Sequence, residues 1–448
     1  MTKKIGIIGG GVSGLTAAFL LKNKGFEVCL FEKSNRVGGN IQTLKKDGFL
    51  IELGPNSFIK SPRLVDLIKS LKLETEVLAA NTQAKKRYVL RAGKLRALPM
   101  GLAKMAFGDF FSWKAKFRLL QEPFVCSKSS ETETVADFFS RRLGAEIVEK
   151  AADPFIAGIY AGKPEKLSIK AAFPRLYELE KDYGGLLVGA LFAKSEKSDE
   201  NFPRSFTFKR GAETLTKKLA ENLGARVRTN CEVLRVGKGE NGKFIIETKD
   251  GATIFDAVIL ASTAETCAKL LENSELDLSA KLRQIYYPPV AMVFFGIRNE
   301  NLLQKPDGFG FLIPSSENRK ILGTLFNSAV FAERAPDRFH LFTTFVGGAR
   351  DAEIFEKTDE ELFEIVYAEL AEILGLKGKS DFRHIKRWKR AIPQYEVGYD
   401  KVEAAIENFA NKTPGVFFCS NFYRGISVGD CVKNAYQTAG SIEKYLNE

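Results

Sequence analysis

KKIGIIGGGVSGLTAAFLLKNKGFEVCLFEKSNRVGGNIQT, residues 3–43, is the stretch from which the fold of this chain is predicted. A short apolar run, Ile5–Ile8, meets glycines in G-x-G-x-x-G spacing, and an amphipathic segment follows from about Val12 to Lys24. This order predicts a buried strand, a tight turn and a helix, the arrangement that binds a dinucleotide. The first amides of such a helix face the phosphates, because the helix dipole favours negative charge there.

Four residues of this turn are predicted to bind the cofactor. Gly9 allows the tight turn, Gly11 lets the backbone approach a pyrophosphate, and Gly14 lets the helix pack close to the strand. Ser13 lies between them in the first helical turn. A glycine triplet alone also ends strands that bind nothing, so the prediction depends on the elements that follow.

A carboxylate comes directly after the second predicted strand. That strand runs from Val28 to Phe31, and Glu32 and Lys33 follow it. A carboxylate at this position accepts hydrogen bonds from the ribose hydroxyls of an adenosine and repels the 2′-phosphate of NADP. We therefore expect Glu32 and Lys33 to border the adenosine of a cofactor other than NADP.

A second glycine pair distinguishes a predicted FAD site from a predicted NAD site. Arg36, Gly38, Gly39 and Thr43 form R-x-G-G-x-x-x-T, with Asn40 inside it, soon after the ribose acid. This block resembles the flavoprotein amine oxidase superfamily, in which it continues the FAD site. The resemblance implies FAD as the cofactor, with Arg36, Gly38, Gly39 and Asn40 beside it.

Charge and composition limit the other classes of function. The chain has 448 residues, enough for about two or three domains, and a net charge of +12. Lysines are spread along it without a nucleic-acid motif, so we expect no nucleic-acid partner; an acidic substrate or an anionic lipid surface suits the charge better. Six cysteines without a C-x-x-C pair and two histidines without a motif indicate neither a metal site nor a disulfide framework.

The sequence also bears on the compartment. The cofactor strand begins within a few residues of Met1, so no cleavable signal peptide is expected before it. No apolar run reaches the roughly 20 residues that span a bilayer. Segment 99–124 mixes aromatic residues with lysine and arginine; we favour a helical domain covering a pocket over a membrane interface. We expect a cytoplasmic protein, with peripheral contact to the inner face of the cell membrane left open.

Segment ELGPNSF, residues 52–58, resembles the protoporphyrinogen oxidase family within the same superfamily. In that family this turn passes near the flavin ring. The resemblance therefore implies that Gly54, Pro55, Asn56 and Ser57 contact the cofactor. By itself the segment predicts only a Gly-Pro turn.

The resemblance covers nearly the whole chain, from residue 3 to about 439. It rests on PFIAGIYAG (154–162), FPRLYELE (173–180), GFGFLIP (308–314), LGTLFNS (322–328), WKRAIPQY (388–395) and GISVGDC (425–431). It implies that the backbone of Val233 contacts the adenine. It also implies flavin contacts by Trp388, Ile426, Ser427 and Val428.

For the substrate, the resemblance implies four contacts. Arg87 faces a propionate of a tetrapyrrole, which suits a guanidinium because its planar fork can bond both carboxylate oxygens. Gly158 borders the macrocycle, and Leu312 and Phe326 stack on the ring, with the register of these two left open. Core packing is the alternative role for Leu312 and Phe326.

These elements predict an α/β protein with a Rossmann-type FAD-binding domain, a mixed α+β substrate domain with an antiparallel sheet, and a helical insertion. A helix over 359–375 is expected to cover the antiparallel sheet. The expected domains are a discontinuous FAD-binding domain (1–90, 203–266 and 385–448), a helical, possible membrane-associating domain (91–202) and a substrate-binding domain (267–384).

The resemblance implies an FAD-dependent oxidoreductase that performs the six-electron oxidation of protoporphyrinogen IX to protoporphyrin IX in heme biosynthesis. Dioxygen would be the acceptor and hydrogen peroxide the product. Since the flavin supplies the chemistry, we expect no catalytic side chain and no metal. A homodimer is left open.

Three alternatives to this function are open. Coproporphyrinogen III oxidase performs the same chemistry on a substrate with more propionates. Another superfamily member, such as a polyamine oxidase or a carotenoid desaturase, would lack the long matches above. A flavin-free, lipid-binding relative on the same fold is disfavoured by the intact glycines and by Glu32.

Overall fold

The computed structural model describes residues 2–99, 101–193, 199–239 and 242–448 of the chain. Its strands are β1 (Lys4–Ile8), β2 (Glu27–Phe31), β3 (Thr43–Lys46), β4 (Phe49–Glu52), β5 (Phe58–Ile59), β6 (Val77–Ala79), β7 (Lys86–Arg91), β8 (Lys94–Ala97), β9 (Ser205–Phe208), β10 (Val227–Arg228), β11 (Val233–Lys238), β12 (Phe244–Thr248), β13 (Gly251–Phe255), β14 (Ala257–Leu260), β15 (Val290–Arg298), β16 (Gly308–Leu312), β17 (Ile321–Phe326), β18 (Phe339–Gly347), β19 (Phe382–Trp388) and β20 (Val416–Phe418). Its helices are α1 (Val12–Asn23), α2 (Pro62–Ser70), α3 (Leu102–Phe107), α4 (Trp113–Leu120), α5 (Val135–Leu143), α6 (Ala145–Ile147), α7 (Asp153–Tyr160), α8 (Ile169–Ala172), α9 (Pro174–Tyr183), α10 (Leu186–Phe192), α11 (Glu213–Leu223), α12 (Ala264–Leu271), α13 (Leu276–Gln284), α14 (Asn327–Val330), α15 (Asp359–Leu374), α16 (Tyr399–Lys412) and α17 (Val428–Asn447).

Five parallel strands form the centre of the cofactor-binding half, in the order β10, β2, β1, β14, β20. Ile5 and Ile7 of β1 are fully buried, as expected for a parallel sheet covered on both faces. α1 and α17 pack against each other in one hydrophobic core cluster of this half. α12, α13 and α16 contribute to a second cluster, which also contains residues of the sheet. The predicted Rossmann-type fold is confirmed.

The second large sheet has seven strands, in the order β19, β15, β18, β17, β16, β7, β8. All neighbouring strands are antiparallel except β16 and β7. α15 covers one face of this sheet, where Phe295 of β15 contacts Phe363 and Tyr367 of the helix. The antiparallel sheet and its covering helix are therefore as predicted.

The ends of α15 follow from local chemistry. Thr358 and Glu361 form a capping box at its start, which satisfies backbone N–H groups that have no partner inside the helix. Gly375 ends the helix in the left-handed conformation, with φ of +66°.

The predicted domain limits do not coincide with the limits of the seven-stranded sheet. β7 and β8 lie on either side of the limit at residue 90, and β19 crosses the limit at residue 385. These strands complete the sheet because β16 and β15 would otherwise expose unpaired backbone groups at its edges. β7, β8 and the end of β19, which the prediction assigned to other domains, therefore belong to this sheet.

Residues 102–192 fold mainly into helices, α3–α10, which we call the helical segment. At its centre the guanidinium of Arg142 pairs with both Glu122 and Glu180, and all three side chains are almost fully buried. Glu122 also accepts hydrogen bonds from the first amides of α10, Leu186 N at 2.7 Å and Leu187 N at 3.1 Å. The buried charges are thus paired and hydrogen-bonded, which burial requires.

None of the helices in the described ranges combines the length and the apolar character needed to cross a bilayer.

Candidate cofactor and substrate site

The glycine turn after β1 provides an open space for a ligand. A Cβ atom on Gly9 would lie 2.4 Å from Ala261 O, and one on Gly14 would lie 2.1 Å from Gly9 O, so neither position has room for a side chain. A Cβ on Gly11 would meet no atom within 4 Å. Gly11 also starts α1 without a side-chain cap, while Ser13 is buried in the first turn. The first amides of α1 therefore border free space, the arrangement that suits a pyrophosphate.

Two backbone amides hold the carboxylate of Glu32 beside this turn. Gly10 N donates to Glu32 Oε2 at 2.7 Å, and Ser34 N donates to Oε1 at 2.8 Å. Each oxygen keeps a further lone pair, so the carboxylate can still accept bonds from ribose hydroxyls. Next to it, Lys33 is exposed and lines a cavity of about 280 Å³ with Thr263 and Arg390 among others.

The second glycine pair is attached directly to the first turn. Gly38 N donates to Gly10 O at 2.7 Å, and Gly38 also forms a parallel bridge with Gly11. Arg36 does not project freely toward a ligand, because its guanidinium donates to Gly39 O at 2.9 Å and to Ile41 O at 2.8 Å. In this structure Arg36 supports the shape of the loop.

Two further loops are joined to these turns. We call the space that the loops border together with the turn at Gly11 the groove. The backbone at Gly54 contacts Asn40, since a Cβ on Gly54 would lie 1.9 Å from Asn40 O. The indole of Trp388 donates to Leu53 O at 2.7 Å, which attaches β19 to the loop that contains Pro55, Asn56 and Ser57. These three loop residues are half-buried.

The C-terminal loop reaches the groove through α17. Ser427 accepts a hydrogen bond from Asp430 N and forms a capping box at the start of this helix. Ile426 packs on the core around β14 and on the helical segment, and Val428 packs on the core around α1. Nearby, a Cβ on Gly429 would lie 3.1 Å from Ser61 Oγ, a buried hydroxyl with no hydrogen-bond partner in the described chain.

Val233 lies at the other end of the groove. Cys231 N donates to Glu32 O at 2.9 Å, so Val233, at the start of β11, is held close to the end of β2. The predicted adenine contact and the predicted ribose contact are thus neighbours.

This groove fits FAD. The free space over Gly11 suits the pyrophosphate, and the Glu32 carboxylate suits the ribose. When bound, FAD supplies the capacity to accept a hydride; the chain supplies the shape and the polar contacts.

One face of the seven-stranded sheet looks toward this groove. In the register of the sheet, Arg87 lies opposite Gly310, Gly310 opposite Leu325, and Leu325 opposite Thr343. Leu312 lies two residues beyond Gly310 and so on the same face. We call this the site face; it is the opposite of the face that α15 covers.

The site face brings three of the four predicted substrate residues together. A Cβ on Gly158 of α7 would lie 2.7 Å from Leu312 Cδ2, so these two residues are in direct contact. Arg87 is exposed at the edge of the face, where its guanidinium stacks on Phe309 at 4.5 Å from the ring centroid. Partial burial of this guanidinium and the positive charge of Arg204 lower the pKa of Arg87. Among the described residues, no carboxylate forms an ion pair with Arg87.

The fourth residue, Phe326, does not lie on the site face. It is opposite Phe342 in the register and packs against Phe311 and Phe342 in the core under α15. Because side chains alternate along a strand, the neighbouring Leu325 takes the site-face position instead. The prediction for Phe326 is thus corrected by one residue.

Two polar residues of this face were not predicted from the sequence. Asn327 Nδ2 donates to Asn56 Oδ1 at 2.8 Å, and Thr343 Oγ1 donates to Asn327 Oδ1 at 2.7 Å. Both are buried. A polar Asn directly after an apolar strand was the available signal, yet such residues are common in turns and do not by themselves indicate a site.

Comparison with known proteins agrees with this geometry. The family model for flavin containing amine oxidoreductase matches residues 12–442. Protoporphyrinogen oxidase 2, chloroplastic/mitochondrial, of Arabidopsis thaliana is 32% identical over 482 residues, which cover 99% of this chain and 94% of that protein. Coproporphyrinogen III oxidase of Bacillus subtilis (strain 168) is 29% identical over 468 residues, which cover 99% of this chain and 98% of that protein.

Among solved structures, a chain from Exiguobacterium sp. 255-15 that is provisionally assigned as a protoporphyrinogen oxidase matches with a TM-score of 0.82 and 25% identity, over 100% of both chains. A redesigned putrescine oxidase matches with a TM-score of 0.73 at 17% identity over 99% of both chains, which reflects the shared fold. The family match spans nearly all of the chain, and the glycine turn, the Glu32 carboxylate and the second glycine pair are hydrogen-bonded to one another. The chain therefore belongs to the flavin containing amine oxidoreductase family and is an FAD-dependent oxidoreductase of that family.

Proposed function

We propose that this protein oxidises a porphyrinogen, and that protoporphyrinogen IX is its substrate. The observation that carries the proposal is the site face. There Leu312 lies opposite Gly323 and Leu325 lies opposite Gly310, and Arg87 lies at the edge without a carboxylate partner in the described chain. A largely apolar macrocycle with carboxylates at its rim is complementary to such a surface.

The guanidinium pair Arg87 and Arg204 is our reason to prefer protoporphyrinogen to coproporphyrinogen. Arg87 and Arg204 influence each other through their charges, and neither has an ion-pair partner in the described chain. The next cation along β7, Lys86, is already paired with Asp307. Lys386, which by register lies on the same face, stacks on Trp388 at 4.3 Å from the ring centroid. We propose that the two guanidinium groups bind the two propionates of protoporphyrinogen IX, whereas coproporphyrinogen III carries four.

The side chains of the proposed site have simple tasks. Leu312, Leu325 and the backbone of Gly158 hold the macrocycle against the groove. Arg87 fixes its orientation through a propionate. No side-chain base is required, because a pyrrole N–H can lose its proton to solvent as the hydride leaves.

A side-by-side turnover assay tests the substrate. The FAD-loaded protein is given protoporphyrinogen IX or coproporphyrinogen III under air, and porphyrin fluorescence and hydrogen peroxide are followed. We expect a higher kcat/KM for protoporphyrinogen IX, with six electrons removed per porphyrin. A preference for coproporphyrinogen III would replace the proposed substrate, and turnover of neither would reject a porphyrinogen oxidase.

We also propose that the helical segment binds the surface of an anionic membrane. Its outer face carries an apolar patch, which we define as Trp113, Phe117, Leu120, Phe124, Leu191 and Phe192. These side chains are between 63% and 81% exposed, far more than expected for large apolar residues that only pack. Lys116 lies 4.1 Å from the ring centroid of Trp113, so a cation accompanies the patch. Apolar and aromatic side chains with lysines beside them suit the interface of an anionic bilayer.

A further inference from the structure

Three side chains connect the site face with the loop between β4 and β5, which the family resemblance places near the flavin ring. Thr343 Oγ1 donates to Asn327 Oδ1 at 2.7 Å, Asn327 Nδ2 donates to Asn56 Oδ1 at 2.8 Å, and Asn56 Nδ2 donates to Gly54 O at 3.2 Å. Thr343 is fully buried and Asn327 is 6% exposed. Thr343 and Asn327 belong to β18 and α14, while Asn56 and Gly54 belong to the loop between β4 and β5.

The orientation of the two amides in this series of hydrogen bonds is determined at the Gly54 carbonyl. An amide can be turned so that its oxygen and nitrogen exchange places, and the two orientations of Asn327 and Asn56 would otherwise satisfy each other equally well. If both amides were turned, Asn56 Oδ1 would lie against Gly54 O, two acceptors without a hydrogen between them. The observed orientation is therefore the one that pairs every group.

The side-chain amide of Asn56 therefore has a defined orientation. Its Oδ1 is turned to the sheet, where Asn327 donates to it, and its Nδ2 is turned to the loop, where Gly54 accepts. One N–H of Nδ2 is then left for a ligand on the loop side. A ligand there meets a hydrogen-bond donor rather than an acceptor.

We propose that Asn327 and Thr343 are positioning residues that fix the amide of Asn56, so that Asn56 presents an N–H donor to the flavin. A donor stabilises the negative charge that the flavin gains on reduction, and an acceptor at the same place opposes it. The chain of bonds thereby couples the sheet that bears the substrate face to the ease with which the flavin is reduced. The proposal rests on the FAD site, and on the proposed substrate only where turnover is measured.

Asn327→Asp is the informative substitution. An ionised carboxylate accepts from Thr343 but cannot donate to Asn56. We expect Asn56 to turn its Nδ2 toward this charged acceptor and its oxygen toward the flavin, because opposing the neutral Gly54 carbonyl costs less than opposing a carboxylate. Once protonated, the same carboxyl can donate again and restore the original orientation. Thr343→Val removes the first donor at nearly constant volume, and Thr343→Ser retains it.

The sheet offers a matched control on its other face. Thr344 Oγ1 and Thr324 Oγ1 are 3.0 Å apart and buried, so Thr344→Val removes an equivalent hydrogen bond away from the site. FAD content and the midpoint potential of the bound flavin are measured for all variants without any porphyrinogen. The rate of anaerobic flavin reduction and the apparent KM are then measured with protoporphyrinogen IX.

We expect all variants to keep FAD. Asn327→Asp should have a lower flavin potential than the parent at neutral pH and about tenfold slower flavin reduction at unchanged KM, with the difference from the parent shrinking as the pH is lowered. Thr343→Val should lower the flavin potential and the rate of flavin reduction by smaller amounts. Thr343→Ser and Thr344→Val should have the potential and the rate of the parent. If Asn327→Asp and Thr343→Val show the potential of Thr344→Val at every pH, the proposal is overturned. Since the potential requires no porphyrinogen, this outcome is separate from a failure of the proposed substrate.

Discussion

Gly158 and Leu312 show how two residues far apart in the sequence form one surface. Gly158 lies in α7 of the helical segment and Leu312 at the end of β16, and their contact leaves no space for a Cβ on the glycine. The glycine is thus required by a tertiary contact, since its own position is helical and would accept alanine. This contact leads to a prediction about substrate binding.

Gly158→Ala should displace Leu312 and lower kcat/KM for the porphyrinogen by about tenfold or more, because overpacking at a tight contact costs about 1–3 kcal/mol. FAD content should not change. Leu312→Val in the same chain should restore part of the activity by making room. Gly189→Ala is the control: a Cβ there would lie 2.9 Å from Leu179, a comparable clash inside the helical segment. If Gly189→Ala loses as much activity, the effect of Gly158→Ala is not local to the site.

Arg87 is the second residue with a specific expected effect. Arg87→Ala should raise the apparent KM by about tenfold or more while FAD content stays constant, since a charge-assisted hydrogen bond to a carboxylate contributes about 1.5–3 kcal/mol. The adjacent Lys86 is exposed and paired with Asp307, so Lys86→Ala serves as the control and should leave KM unchanged. Steady-state kinetics of the two variants measure the difference, and equal KM values would remove Arg87 from the substrate site.

The stability of the helical segment depends on buried, paired charges. Burial by itself would raise the pKa of Glu180, but hydrogen bonds from Arg141, Ser129 and Arg142 overcome this effect and lower the pKa to about 2. The native protein therefore binds fewer protons at Glu180 than the unfolded chain does between pH 4.5 and about 2. In this range the stability contributed by Glu180 falls as the pH falls.

We expect the free energy of unfolding of the parent to decrease steadily from pH 4.5 toward pH 2. Glu180→Gln removes this titration, so its free energy of unfolding, although lower at pH 7 because two guanidinium groups lose a partner, should depend less on pH in that range. Chemical denaturation at a series of pH values measures both slopes. Parallel curves for the parent and the variant would show that Glu180 does not carry the acid sensitivity.

α17 illustrates a different relation between an element and the site. The sequence predicts a helix that starts near Gly429, and the structure has it start at Val428 with its own cap from Ser427 and Asp430. Its position next to α1 follows from packing in a shared core, in which Val432, Ala435 and Ala439 are buried. Local sequence predicts the helix and its cap, and packing determines which part of the groove it borders.

For the whole molecule, the apolar patch leads to a prediction about membranes. The patch includes residues of α4, the turn 122–124 and α10, which pack on one another. In α4 the residues Trp113, Phe117 and Leu120 fall on one side of the helix by their spacing. Trp113→Ser combined with Phe192→Ser should reduce binding to vesicles that contain phosphatidylglycerol by about fivefold or more, because less apolar area enters the interface.

Co-sedimentation with vesicles measures this binding, with neutral phosphatidylcholine vesicles as the lipid control. Leu276→Ser is the protein control, since Leu276 is 77% exposed and lies in α13, outside the patch. The doubly substituted protein should keep its FAD and its turnover of porphyrinogen in detergent. Vesicle binding that the substitutions leave unchanged would reject the patch as the membrane-binding surface.

The parts that were predictable from sequence are those in which neighbouring residues form the structure. The strand Lys4–Ile8, the glycine turn and Glu32 are close in the chain, and backbone geometry alone brings them to one edge of a parallel sheet. The covering helix α15 was likewise predictable, because its cap, its apolar spacing and its terminal glycine are local. The family resemblance added the long-range residues Trp388 and Val233, which no local pattern indicates.

The sequence by itself therefore determined the dinucleotide turn and, through the family resemblance, the class of cofactor, while the individual cofactor contacts stay predictions. Tertiary structure alone decided which face of the sheet each strand residue occupies. The pairing of β16 with β17 places Gly323 opposite Leu312 and Leu325 opposite Gly310, and a shift of one residue would exchange the two faces of the strand. For this reason Leu325 rather than Phe326 lies on the face of Leu312, and Asn327 reaches Asn56 across a sequence separation that no local rule spans.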